Sequence, residues 1–140
     1  MLGTERESQT GILPTVLVVD DHAGSREYVA RLLRLEGFDV LRASDAGDAQ
    51  QLLQSQHVDL LLLDQMMPDM AGLDLLQWLR EQQRLEHLPV IMLSAVNENA
   101  TVERAHELGV RDFLVKSRFS VNTLLDCIRT NLAGGKPQGN

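Results

Sequence analysis

The chain has 140 residues and a mass of 15.6 kDa, the size of one ordinary domain, because a second would leave neither with an adequate core. Hydrophobic residues make up 44% and charged residues 24%, with a mean hydropathy of -0.13, which excludes disordered, collagen-like and membrane-embedded chains. With 13 Lys and Arg against 20 Asp and Glu the net charge is -7, the wrong sign for neutralising phosphates, so direct nucleic-acid binding is not expected.

The first 14 residues read as a loose tail, polar and aperiodic from Thr4 to Thr10. Glu5, Arg6, Glu7 and Ser8 stand where a signal peptide would need an apolar stretch, and no apolar run reaches bilayer length. The single cysteine, Cys127, allows neither an internal disulfide nor a Cys-rich zinc site. A cytoplasmic location without a membrane is the expectation.

Val16 to Val19 is a short, continuous apolar run ending at Asp20 and Asp21, the pattern of a strand buried on both faces. Val29, Leu32 and Leu33 mark a helix that Gly37 stops. A weaker strand, Phe38 to Leu41, precedes the turn-like Ala43-Ser44-Asp45, and Ala46 to Gln54 is helical. Leu60 to Leu63 repeats the buried-strand pattern and ends at Asp64. Pro68 and Gly72 punctuate the next loop, and Leu73 to Arg80 forms the third helix. Pro89 opens the strand Val90 to Leu93, which ends at Ser94, and a helix from Glu98 to Leu108 is closed by Gly109. Phe113 to Val115 then ends at Lys116. Val121, Leu124, Leu125, Ile128 and Leu132 share one face of a last helix with Ser120 as N-cap, and Cys127 beside them reads as a small packing residue. The Gly-rich end, with Pro137, reads as a second tail. The expected division is therefore a tail at 1–14, a domain at 15–132 and a tail or linker at 133–140.

Strands each followed by a helix need right-handed crossovers, so the fold class is doubly wound α/β with a parallel sheet covered on both faces. Function in such sheets collects at the carboxyl ends of the strands, where this chain places Asp20, Asp21, Asp64, Ser94 and Lys116. Taken singly these residues have plain explanations. Asp20 and Asp21 could be a helix N-cap and a first-turn acid, Lys116 a solvated charge and Phe113 core packing. The four histidines, His22, His57, His87 and His106, share no metal-like spacing, and only His22 neighbours the edge.

Taken together the edge residues point to phosphoryl chemistry. Three converging carboxylates need a proton or a counter-charge, and an oxygen-rich cluster suits Mg²⁺ with water and a phosphate oxygen. Asp64 could attack an activated phosphoryl group, while Lys116 and the Ser94 hydroxyl stabilise the transferring oxygens.

Four segments in order and at matching spacing carry a resemblance: Val16 to Asp21, Asp64 to Gly72, Pro89 to Ala95 and Gly109 to Lys116. Across essentially the whole core the chain resembles the receiver domain of two-component response regulators, the CheY-like family. The resemblance implies a flavodoxin-like fold, a five-stranded parallel sheet in the order 2-1-3-4-5 with five helices. It makes Asp64 the phospho-acceptor, Asp21 a direct Mg²⁺ ligand, Asp20 its acidic partner and the Met66 carbonyl a further ligand, with Mn²⁺ as a substitute metal. Ser94 and Phe113 become switch residues, Lys116 pairs with the phosphoryl group, and Met66, Ala95 and Val96 flank it. The fourth helix, fifth strand and fifth helix become the signalling face. Where the family usually follows its lysine with proline, this chain has Ser117, so the cis-peptide turn common there is not carried over.

The partners implied are a sensor histidine kinase or histidine phosphotransfer protein, a downstream target or an effector domain beyond this chain, and a phosphorylation-dependent homodimer. The domain would be a switch that catalyses its own phosphorylation and slow dephosphorylation, not a metabolic enzyme. An interaction module working without phosphorylation is the alternative. An aspartyl-phosphate phosphohydrolase of the haloacid-dehalogenase kind would need a second acid two residues after Asp20, where His22 stands. A flavodoxin-like cofactor binder would need a glycine-rich phosphate loop where Asp20 and Asp21 would repel the ligand.

Overall fold

The structure is a computed structural model, and it describes residues 13–67, 70–95 and 98–133. Five strands and five α-helices alternate: β1 Thr15–Val19, α1 Ala23–Leu35, β2 Asp39–Ala43, α2 Ala46–Ser55, β3 Leu60–Asp64, α3 Gly72–Glu81, β4 Val90–Ser94, α4 Asn99–Glu107, β5 Asp112–Val115 and α5 Val121–Leu132. A 3₁₀ turn at Gln83–Leu85 follows α3. All strand pairs are parallel, in the order β2-β1-β3-β4-β5, which is the doubly wound sheet expected from the sequence. The expected tails lie outside the described residues, apart from Leu13, Pro14 and Ala133.

The continuous apolar runs work because alternate side chains serve opposite faces of a covered sheet. Leu17, Val19, Leu61, Leu63, Val90 and Met92 pack on one face against Ala49 and Leu53 of α2, Leu75, Leu76 and Leu79 of α3, and Ala105 of α4. Val16, Val18, Leu60, Leu62, Ile91 and Leu93 pack on the other against Leu33 of α1 and Leu124, Leu125 and Ile128 of α5. Cys127 joins that second layer as a partly buried side chain.

Both boundaries of β2 differ from the sequence reading for local reasons. Gly37 has a φ of 95° and ends α1 in a turn whose closing bond runs from the Phe38 amide to the Leu33 carbonyl, 3.1 Å. That bond spends the Phe38 amide on the helix, so β2 begins at Asp39. Ala43 continues β2, its carbonyl accepting from the Asp20 amide at 3.1 Å, and Asp45 is the N-cap of α2. Ser120 caps α5 as expected, accepting from the Thr123 amide at 3.1 Å.

Gly72 does more than punctuate a loop. A Cβ there would lie 2.6 Å from the Asp64 carbonyl oxygen, 2.8 Å from the Met92 Cε and 2.9 Å from the Gln65 Cα. Helix α3 therefore starts directly against the backbone of the strand end. Gly72→Ala is expected to destabilise by about 2–4 kcal/mol in urea unfolding, as overpacking against backbone does. Gly47→Ala in α2, whose Cβ would meet only the Asp45 Oδ1 at 3.5 Å, should be neutral or slightly stabilising.

Candidate functional site

The sheet delivers the site residues to one edge. Asp20 follows β1, Asp64 and Ser94 end β3 and β4, and Lys116 follows β5. Asp20, Asp64 and Ser94 are buried, while Asp21 is exposed. One carboxylate oxygen from each of Asp20, Asp21 and Asp64 lies within 4.8 Å of the others. Lys116 bridges two of these acids, its Nζ 3.1 Å from Asp20 Oδ2 and 3.5 Å from Asp64 Oδ2. The Lys116 amide donates to the Ser94 carbonyl at 2.7 Å, which ties the end of β5 to the end of β4.

The charges do not balance within this cluster. Burial pushes the Asp64 carboxyl up to about 6 from an ordinary 3.8; Lys116 pulls it down, and Asp20 pushes it up again. The Met66 amide also favours the charged form, donating to Asp64 Oδ1 at 3.3 Å. One ammonium facing three carboxylates leaves the pocket short of positive charge. Its donors are all hard oxygens, the chemistry that suits Mg²⁺ or Mn²⁺. The residues present fit such an ion.

The neighbouring loops are built from hydrogen bonds that composition did not reveal. Neither Asp20 nor Asp21 caps α1: the N-cap is His22, whose Nδ1 accepts from the Ser25 amide at 3.2 Å, while Asp20 Oδ1 accepts from the His22 amide at 2.9 Å. Asp20 is thus held inward by the turn that precedes the helix. Arg26 Nη1 donates to the Asp20 carbonyl at 3.0 Å and secures the same turn from α1. Gln65, next to Asp64, receives the Leu73 amide on its Oε1 at 2.9 Å.

Met66 is 60% exposed beside Asp64. Ala95 is exposed immediately after Ser94, and Val96 lies outside the described residues, as does Pro68. Phe113 is half-buried, paired in register with Met92 and packed against the layer that holds α2, α3 and α4. After Lys116 the Arg118 amide donates to the Val115 carbonyl at 2.9 Å, and the described residues contain no cis peptide bond.

Comparison with known proteins agrees with this fold. Residues 16–129 match the model of the response regulator receiver domain family. The chain is 38% identical over 118 residues to the transcriptional regulatory protein GltR of Pseudomonas aeruginosa, covering 84% of this chain and 48% of that protein. It is also 38% identical over 102 residues to the chemotaxis protein CheY of the same organism, covering 72% of this chain and 82% of that one. The chain thus spans about half of the one relative and most of the other. Among solved structures, a response regulator receiver protein from Pseudomonas putida superposes with a TM-score of 0.79 at 33% identity, covering 84% of this chain and 96% of that one. A CheY-like receiver domain from Methanospirillum hungatei shares the fold with a TM-score of 0.82 at 24% identity, covering 87% and 95%. With sheet order and sequence in agreement, the chain belongs to the response regulator receiver domain family, with a CheY-like fold.

Proposed function

We propose that this domain is a phosphoryl-accepting switch in which Asp64 takes a phosphoryl group from the phosphohistidine of a sensor kinase or phosphotransfer protein. The observation that carries this reading is the buried Asp64 carboxylate, with Asp20 and Asp21 beside it and the Lys116 ammonium 3.5 Å away. A carboxylate oxygen of Asp64 forms the new bond to phosphorus, the bond from phosphorus to the donor nitrogen breaks, and its electron pair returns to the imidazole. Asp20, Asp21, Asp64 and the Met66 carbonyl would hold Mg²⁺, or Mn²⁺ in its place. When bound, the ion offsets charge on the phosphoryl oxygens.

Phosphorylation adds roughly two negative charges to a pocket already short of positive ones. Lys116 exchanges part of its contact with Asp20 for the new phosphoryl oxygens, and the Ser94 hydroxyl donates to one of them. Phe113, packed at the border of the core, follows Ser94 inward and changes the face formed by α4, β5 and α5. The domain works as a cytoplasmic signalling switch and not as a metabolic enzyme. Its output passes to a downstream protein, to a second copy of itself or to an effector domain.

Intact mass after incubation with acetyl phosphate tests this reading. One phosphoryl adduct is expected with Mg²⁺ and none with a chelator; an unmodified, folded, Mg²⁺-bound protein would favour a module that works without phosphorylation. The adduct should also persist. Met66 places an apolar, exposed side chain beside the acceptor and offers no group to orient a hydrolytic water. A half-life of minutes or longer at neutral pH is expected, shortened severalfold by Met66→Asn, and a half-life of seconds in the wild type would contradict the account.

A further inference from the structure

We propose that Gln65 is a positioning residue for the phosphoryl chemistry, a clamp that joins the acceptor strand to the start of α3 and to the end of β4. The proposal rests on the reading of Asp64 as acceptor. Gln65 uses three polar groups at once. Its amide donates to the Leu93 carbonyl at 3.1 Å, its carbonyl accepts from the Gly72 amide at 2.9 Å, and its side-chain Oε1 accepts from the Leu73 amide at 2.9 Å.

Helix α3 needs this help. Its N-cap residue, Ala71, has no side-chain acceptor, so the Leu73 amide that a Ser or Asp there could take, and the Gly72 amide before it, are satisfied by Gln65 across the loop. The same contact closes that loop at both ends, since Gly72 is packed against the Asp64 carbonyl and the Gln65 Cα. Met66 lies inside the closed loop, where its amide orients Asp64 Oδ1 and its carbonyl belongs to the expected metal ligands. Replacing residues that fix ligating groups from one step away commonly costs about 10–100-fold in metal affinity. Gln65 therefore acts on the reaction through Asp64 and Met66, without touching the phosphoryl group.

The test compares Gln65→Met, which keeps the size and loses the acceptor, with Gln65→Glu, which keeps the acceptor. A third protein combines Gln65→Met with Ala71→Asp, so that α3 gains a local cap while the side-chain link from residue 65 to the Leu73 amide stays broken and the backbone bond to Gly72 is kept. Each is measured by urea unfolding, by Mg²⁺ titration calorimetry and by the initial rate of phosphorylation from acetyl phosphate. Gln65→Met is expected to weaken Mg²⁺ binding and slow phosphorylation by about tenfold each. Gln65→Glu should retain both within about threefold. Adding Ala71→Asp should restore the urea midpoint and leave both deficits in place. Unchanged Mg²⁺ binding and rate in Gln65→Met, recovery of both with Ala71→Asp, or equal impairment in Gln65→Glu would each overturn the proposal. If the wild type accepted no phosphoryl group, the functional reading would fail, and the Mg²⁺ titrations would still decide whether Gln65 positions the site.

Discussion

Lys116→Met is expected to slow phosphorylation from a small donor by about 100-fold or more, and to destabilise the metal-free protein at pH 7.5 by about 1–3 kcal/mol. Both effects have one origin. Lys116 is the ammonium that meets Asp20 and Asp64, whose side chains are 6% and 5% exposed against its own 30%. Removing it leaves buried carboxylates facing one another, and partial solvent access to the lysine keeps the cost below that of a fully buried pair.

The loss of stability should depend on pH in a defined direction. Asp64 titrates near 6 when folded and near 3.8 otherwise, so the folded state holds the proton more tightly. Its contribution is fully present below the unfolded value and is lost as the pH rises through about 6. Without Lys116 the folded value moves higher still, so the variant should regain much of its stability by pH 5. Saturating Mg²⁺ should restore it at pH 7.5. Urea unfolding at the two pH values, with and without the ion, measures both terms.

Asp64→Asn is expected to abolish the phosphoryl adduct completely, because the amide cannot act as the nucleophile. It should also stabilise the metal-free protein above pH 6, on the order of 2 kcal/mol, since a neutral group replaces one that the pocket disfavours when charged. The stabilisation should shrink as the pH falls through about 6 and vanish only below 3.8, where the wild-type carboxyl is protonated in both states. A residue that is destabilising in the resting protein and required for the reaction marks a site whose charge is arranged for a ligand. If Asp64→Asn were less stable than the wild type at pH 7.5, the electrostatic description of the pocket would fail, whatever the labelling result.

The strand ends were legible in the sequence because a parallel strand covered on both faces is a continuous apolar run, and the first polar residue after it must emerge at the carboxyl edge. Val16–Val19 and Leu60–Leu63 show this directly, and with them the positions of Asp20 and Asp64 follow from the sequence. What was not legible is carried by single hydrogen bonds between segments far apart in the chain. Nothing in the composition of Gln65 distinguishes a remote helix cap from a surface glutamine, and nothing around His22 marks it as the cap of α1 in preference to the aspartates before it.

Arg80 is a second case. Near the end of α3 it donates to the carbonyls of Leu108, Glu86, Leu88 and Gly109, stitching two loops far from the acidic cluster in sequence, and burial holds its guanidinium below the usual value. Its helical position alone gave only a charged residue in the last turn. Gly72 could be read as a turn residue from its neighbours, but the close approach of α3 to the Asp64 carbonyl depends on where the helix docks.

In the proposed function one side chain, Asp64, carries the phosphoryl group, and chemical trapping locates it. After incubation with acetyl phosphate and Mg²⁺, borohydride reduction converts an aspartyl phosphate to homoserine, and peptide sequencing by mass spectrometry locates it. Homoserine at position 64, absent when Mg²⁺ is withheld, is the predicted result. Homoserine at another aspartate, or an adduct that resists borohydride, would contradict the account.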